Sequence, residues 1–328
     1  MKRSSSSEPG LITLQLRTLQ IFCAVASHGS FSRAAASLGL TQSAASQAVL
    51  HLEEHLGAQL VDRSIRPLGL TRAGKIYRDG AQRLLHDYQA LEDEVRTTQN
   101  RLVGRVSVSA IYSVGLSYLP DATAEFARLH PDVEVAVEYA KPTRVAKLVA
   151  SGEVDLGLLS YPEESRRMRV VIWQREPMRM ICSAGHPLAD RREVHLSDLN
   201  GVPLVAFEKG LAIRREIDRY LSQRGVQPRI SMEFDNIDSL IRAVQANQGI
   251  SIMPEAAVRR EIAAGSLCVM PCVDLSLTRP LGICWRRGGR LGPAARQFAA
   301  MLLGRPLDES EKQIPRPDAS ARVPEAIP

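Results

Sequence analysis

Gln42, Ser43, Ser46 and Gln47 gather amide and hydroxyl groups into one short stretch. Their chemistry is that of hydrogen-bonding pairs: an amide can bond two atoms on one base edge, and a hydroxyl can donate or accept. The spacing puts all four on the outward side of a helix's first turns, opposite Ala45, Val49, Leu52 and Leu56, which recur at helical intervals. Thr41 precedes them as an N-cap, and the unpaired N–H groups of that helix end favour a phosphate. None of the four is bulky enough to keep the helix from entering a groove.

The elements that must hold this helix are legible on both sides. Gly29-Ser30 ends one apolar helix and starts another, with Ser30 as N-cap; Phe31, Ala34, Ala35 and Leu38 give that second helix a buried face, and Gly39 ends it in a left-handed turn. Leu14 to Ala26 reads as a first helix, with Leu16, Leu19, Phe22, Val25 and Ala26 inward. Together they form a helix-turn-helix with a helix packed beneath it. The same pattern also serves an ordinary pair of core helices with a solvated face. Beyond Gly57, two short extended pieces flank a basic, Pro-bearing turn and make a wing, which can lay Arg63 and Arg66 along phosphates or a minor groove. Solvated loop charge is the alternative for those arginines.

Residues 14–74 resemble the winged helix-turn-helix of LysR-type transcriptional regulators. The resemblance is carried by Phe31-Ser32-Arg33-Ala34-Ala35, Leu38, Thr41 to Gln47, Leu52-Glu53, Leu56-Gly57, Leu60, Arg63 and Leu70-Thr71-Arg72-Ala73-Gly74. Val61 departs from it, standing where the family usually places Phe. The resemblance implies that Gln42, Ser43, Ser46 and Gln47 face the major groove, that Arg33 and Thr41 hold the DNA backbone, and that Arg63 and Arg66 serve the wing.

Across residues 73–102, Tyr77, Ala81, Leu84, Tyr88, Leu91 and Val95 alternate spacings of four and three. That is a heptad seam, narrower than the stripe of a globular helix, and it predicts one long linker helix paired with a second copy. A helix packed on its own domain is the alternative. Paired copies fix two reading heads apart and suit inverted half-sites separated by about one helical turn of DNA or a multiple of it.

Gly104 opens a segment of another kind, in which strands alternate with helices: 105–110, 133–139 and 154–160 as strands with helices at 116–129 and 143–149 between them, then a second set from Val170. In that set, 170–174, 178–183, 202–206, 229–234 and 250–253 read as strands, 212–224 and 237–246 as helices, and 256–263 as a short helix. The segment 267–273 is expected to return the chain to the first half, followed by a strand at 277–285 and a closing helix at 293–303. This predicts α/β architecture, with ligands beyond the carboxyl ends of the strands. Two lobes with crossings near Ser160 and Val269 resemble the effector-binding domain of the same family, which is similar to periplasmic binding proteins. Leu119-Pro120, His130-Pro131, Asp155-Leu156-Gly157, Gly185-His186-Pro187-Leu188 and Met253-Pro254 match that pattern. The expected division is a disordered arm (1–13), the winged head (14–72), the linker helix (73–102), the two-lobed domain (104–304, lobe 1 about 104–160 and 270–304, lobe 2 about 161–269) and a disordered tail (305–328).

The cleft between the lobes is the expected effector site. Ser113, placed just before a helix beginning near Gly115, could hold an anion with the adjoining N–H groups. Ser160 and Tyr161 end a strand at the hinge, and Phe207 and Glu208 follow a strand on the opposite wall. The resemblance implies that Ser113 and Ser160 touch the effector. Leu211-Ala212 stands where the family often has a third polar contact, which opens the site to a more apolar ligand. For Ser113 a plain helix cap, and for Tyr161 and Phe207 core packing, are the structural alternatives.

Composition narrows the classes. With 328 residues and 45% apolar content the chain can bury more than one core, and its net charge of +6 and pI near 9.2 suit a polyanionic partner. Five cysteines with no Cys-x-x-Cys pair argue for free thiols in a reducing cytoplasm and against zinc, and no apolar run approaches the roughly 20 residues of a membrane span. His186 lies in a Gly-His-Pro turn, a structural rather than a reactive setting; His28, His51, His55, His86, His130 and His195 show no metal-ligand spacing, and neither a Gly-x-Ser-x-Gly elbow nor a Gly-rich phosphate loop is present. No catalytic group, metal or cofactor is therefore expected. The favoured reading is a cytoplasmic regulator whose partners are an operator duplex, a small-molecule effector, anionic or apolar, further copies of itself as dimer or tetramer, and RNA polymerase. A small-molecule-binding protein with a basic assembly head, and an α/β enzyme, are the alternatives.

Overall fold

The computed structural model describes residues 16–98 and 102–308. The disordered arm expected over 1–13, the first residues of the first helix and the tail from residue 309 lie outside them. The first compact unit comprises the residues through Glu92 together with Ser151–Glu153, and the second comprises Asp93–Ala150 and the residues from Val154 onward.

The first unit contains α1 (Leu16–His28), α2 (Phe31–Ser37), α3 (Gln42–Leu56), β1 (Val61–Asp62), β2 (Gly69–Leu70) and most of α4 (Arg72–Thr97). Its caps are the ones the sequence offers. Ser30 Oγ accepts from the Arg33 N–H at 3.4 Å, Thr41 Oγ1 accepts from the Ala44 N–H at 3.2 Å, and Gly57 ends α3 at φ +60°. Thr71 caps α4: its Oγ1 accepts from Gly74 and donates to the Gln59 carbonyl. Ile21, Phe22, Val25, Ala34, Ala35, Ala45, Val49, Leu52, Leu60 and Val61 form the core. Val61 is buried there as the first residue of the wing ladder, opposite Leu70.

The linker helix is shorter than expected, ending at Thr97. The seam also divides. Tyr77 packs edge-on against Phe22 with ring centroids 5.5 Å apart, and Ala81 is buried, whereas Leu84, Tyr88, Leu91 and Val95 are exposed. The first turns are spent on packing within this chain, so the outward seam starts at Leu84.

The second unit holds β3 (Gly104–Ala110), α5 (Tyr112–Leu129), β4 (Val133–Tyr139), α6 (Pro142–Ser151), β5 (Leu156–Ser160), β6 (Met168–Ser183), β7 (Pro203–Phe207), α7 (Ala212–Ser222), β8 (Arg229–Phe234), α8 (Ile237–Gln245), β9 (Ser251–Pro254), α9 (Glu255–Ala263), β10 (Leu267–Val269), β11 (Thr278–Arg286) and α10 (Pro293–Leu303). Lobe 1 has strand order β4-β3-β5-β11-β6, with β3 parallel to β4 and β5 and β11 antiparallel to both its neighbours. In lobe 2, β7 and β8 run parallel, β9 and β10 flank β6 antiparallel, and a bridge between Leu204 and Ile250 ties β7 to the start of β9.

The crossings differ from those expected near Ser160 and Val269. The two strands expected at 170–174 and 178–183 are one 16-residue strand, β6, whose first half pairs with β11 in lobe 1 and whose second half pairs with β9 and β10 in lobe 2. Met168, Val170 and Val171 sit in the lobe 1 core and Met178, Met180 and Ile181 in that of lobe 2, so the outward crossing lies between them. Cys268 to Leu277 stay with lobe 2, Val194 pairing with Cys272, and the return crossing is made by β11. A strand that continues through the hinge keeps its ladder intact, which a break at Ser160 would not.

Candidate functional site

At the start of α3, Gln42, Ser43 and Gln47 are exposed and Ser46 half-buried, while Ala45, Val49 and Leu52 of the same helix are buried. Thr41 Oγ1 is 3.1 Å from Ser43 Oγ. Arg33, also exposed, is turned to the His28 carbonyl. Leu56, expected inward, is 39% exposed at the end of the helix.

The two wing arginines are placed differently. Arg63 bonds the Glu53 carboxylate at 2.7 Å and lies over the Phe31 ring, 5.7 Å from its centroid. Glu53 is buried and also accepts the N–H groups of Leu60 at 2.7 Å and Val61 at 2.9 Å. Burial opposes its charge, but the Val61 N–H, the Arg63 guanidinium and the Leu60 N–H outweigh that and hold the carboxyl below its ordinary range. Arg63 thus fastens the wing to α3. Arg66 is exposed at the turn, with its guanidinium on the Arg63 and Ile65 carbonyls, and the Leu68 N–H bonds the Gly29 carbonyl.

In the second unit, α5 begins at Tyr112, so Ser113 lies inside its first turn rather than before it. Its hydroxyl is already engaged: Arg279 Nη1 donates to Ser113 Oγ at 2.9 Å. Arg279 is the register partner of Glu176 where β6 and β11 pass between the lobes, and the two form an ion pair with both side chains almost wholly buried. The other Glu176 oxygen accepts the Ala256 N–H of α9 at 3.2 Å. Nearby, the Tyr118 phenol is pushed up to about 12, first by burial and then by the Glu176 carboxylate. One buried pair therefore joins α5 of lobe 1 to α9 of lobe 2 at the hinge.

Ser160 is the register partner of Leu281, and the Tyr161 N–H bonds the Pro280 carbonyl at 2.9 Å, which brings both beside Arg279. Tyr161 takes a left-handed φ of +48°, uncommon for a bulky residue. Its hydroxyl is buried without a hydrogen-bond partner among the described residues, and burial raises the phenol above its ordinary range. Phe207 is 5% exposed and belongs to the lobe 2 core, offering only its carbonyl, which accepts from Arg214 at 2.6 Å. Glu208 is exposed. Across the two lobes, Lys141 bonds Asp235 at 2.7 Å, an exposed ion pair in which each partner favours the other's charged form.

These arrangements have counterparts in known proteins. Residues 16–75 match the helix-turn-helix model described as a bacterial regulatory protein of the lysR family, and residues 99–306 match the LysR substrate binding domain. The chain belongs to the LysR family. Among its relatives, the hydrogen peroxide-inducible genes activator of Dickeya chrysanthemi is 27% identical over 286 residues, spanning 87% of this chain and 94% of that protein. A full-length OxyR variant from Pseudomonas aeruginosa shares the fold with a TM-score of 0.72 at 22% identity, covering 88% of this chain and 97% of that one. Full-length CbnR, solved with its target DNA, gives a TM-score of 0.63 at 21% identity over 88% and 99% of the two chains.

This LysR-family chain is a transcriptional regulator with a helix-turn-helix and an effector-binding domain, in a family whose named relatives are regulators rather than enzymes. No helix among the described residues is long and apolar enough to cross a membrane. Sequence reasoning missed Glu53, Glu176 and Arg279. Glu53 carried a signal, since it stands on the buried side of α3 ten residues before Arg63. Glu176 and Arg279 carried almost none, because 103 residues separate them and only the strand register brings them together.

Proposed function

We propose that this LysR-family regulator binds duplex DNA with the start of α3 in the major groove. Gln42, Ser43, Ser46 and Gln47 read base edges, Thr41 and Arg33 hold the backbone, and Arg66 serves the wing while Arg63 secures it. The observation that carries the reading is a capped helix with amides and hydroxyls exposed on its first turns and its other face buried. Two copies pair through Leu84, Tyr88, Leu91 and Val95, the exposed part of the α4 seam, and place two heads on inverted half-sites. The regulator works in the cytoplasm.

The effector sits between the lobes near Ser113, Ser160, Tyr161 and Glu208. Arg279 is matched by Glu176 and Lys141 by Asp235, so neither cation is left to grip an anion. A small molecule of low net charge, taking a hydrogen bond from Tyr161, suits it better than a strong anion. It regulates by binding two arrangements of the DNA-bound oligomer with different affinity.

The test is a titration of the full chain on a duplex from a divergent promoter region and on a scrambled duplex, at several salt concentrations. The reading predicts tighter binding to the former by about a thousandfold or more at physiological salt, with affinity falling as salt rises. Equal affinity for both duplexes would overturn it. Replacing Leu84 and Leu91 by Asp should give monomers by sedimentation; an unchanged oligomer would move the pairing surface elsewhere.

A further inference from the structure

We propose that Cys182 and Cys268 form a reversible intrachain disulfide, making lobe 2 the carrier of a two-electron redox modification. The two residues are direct register partners on the antiparallel strands β6 and β10. Residues opposed in this way share a face of the sheet with Cβ atoms about 4.5–5.5 Å apart. A disulfide needs about 3.5–4.5 Å between Cβ atoms and 4.4–6.8 Å between Cα atoms. The strands must therefore draw together by about an ångström at that point. β10 can supply this movement, because it is three residues long and, among the described residues, pairs with β6 alone.

No other cysteine is placed so. Cys284 is fully buried and faces Gly157 and Val170 in its ladders, Cys23 lies in the first unit, and the Cys272 thiol is bonded to Asp274 at 3.2 Å. A metal is a poorer occupant for the pair: no group of three or more His, Cys, Asp or Glu side chains able to hold an ion gathers among the described residues.

The two thiols are unequal, and the inequality sets the order of events. Cys182 is buried in the lobe 2 core, whereas Cys268 is half-buried at its edge. Burial, and then the neighbouring Cys268, pushes the Cys182 thiol up to about 11, so it stays protonated and does not react first. With a small disulfide such as oxidised glutathione as the oxidant, the Cys268 thiolate attacks one of its sulfurs, forming a mixed disulfide and expelling one glutathione thiolate. Cys182 then gives up its proton to solvent and attacks the Cys268 sulfur, expelling the second glutathione thiolate. Both leaving thiolates take up a proton. The protein loses two electrons and two protons to form one S–S bond, and one glutathione disulfide becomes two thiols. The product staples β10 to β6 just before residues 270–277, the stretch that leads into the return crossing.

The test is to treat reduced, folded full-length protein with oxidised glutathione, block the remaining thiols, and map disulfides by mass spectrometry. The expected result is a Cys182–Cys268 linked peptide in most chains that dithiothreitol reverses. Cys182→Ser should instead keep a glutathione adduct on Cys268, cleared about tenfold or more slowly than in the unmodified sequence. Cys268→Ser should acquire none at Cys182. Glutathione persisting on Cys268 in the unmodified sequence, or a Cys268–Cys272 link, overturns the proposal. Should Cys182→Ser fail to fold, the peptide map of the unmodified sequence and the half-exposed Cys268→Ser variant still decide.

Discussion

Glu53 and Glu176 are each buried beside an arginine, and they hold their surroundings together in different ways. Glu53 works locally: its partner Arg63 is ten residues away and about one-third exposed, and two backbone N–H groups of the wing complete its bonding. Glu176 works at long range: its partner Arg279 is 103 residues away and 1% exposed, and the pair reaches Ser113 on one lobe and the Ala256 N–H on the other. Much of the Glu53 arrangement is hydrogen bonding that a single helix and its following turn supply. Glu176 and Arg279 instead depend on each other, since neither has solvent as a substitute. The head is therefore expected to tolerate weakening of its clasp, and the hinge to respond sharply to loss of either partner.

The most damaging change expected is Arg279→Met, which strands the Glu176 charge in the interior and should cost about 3–5 kcal/mol in urea unfolding. Adding Glu176→Leu should recover most of that loss, because two apolar groups leave no buried charge; failure to recover would mean that the pair's bonds to Ser113 and Ala256 matter more than its mutual neutralisation. Glu53→Gln should cost less, about 1.5–3 kcal/mol, by removing charge-assisted bonds to the wing, and should weaken DNA binding through the loosened wing while the first turns of α3 keep their place. Acid sharpens the same contrast. Because folding lowers the Glu53 pKa from its ordinary 4.5, its stabilisation is fully present above about 4.5 and is lost as pH falls through the lowered value. Circular dichroism of the isolated variant Glu53→Gln beside the parent should show a smaller acid-induced loss of head stability in the variant. The smallest effect on stability is expected for Tyr161→Phe, which removes an unpartnered buried hydroxyl and should leave urea unfolding unchanged or slightly improved while weakening effector binding.

The contrast between the two pairs also explains what could be read from the residues alone. The head was legible almost completely because its determinants are local: Ser30 and Thr41 cap, Gly39 and Gly57 turn, and the apolar positions of α3 repeat at a fixed interval. The α/β alternation was legible for the same reason. The crossings were not, since a strand that serves two sheets looks like two strands with Arg175, Glu176 and Pro177 between them. Nor was the floor of the cleft. Ser113 reads as a helix cap with a free hydroxyl until Arg279 arrives from the far end of the chain, and Phe207 reads as a cleft wall until its burial in lobe 2 is seen. Tyr77 and Ala81 fit the heptad spacing perfectly well, but spacing does not say which turns of a long helix are already covered.

The central claim is that α3 selects sequence through Gln42 and Ser46, and the ratio of affinities for the operator and a scrambled duplex tests it most directly. With both residues replaced by alanine, the account predicts that this ratio falls by about tenfold or more, while the affinity for scrambled duplex and its salt dependence stay as they were. An unchanged ratio would contradict it.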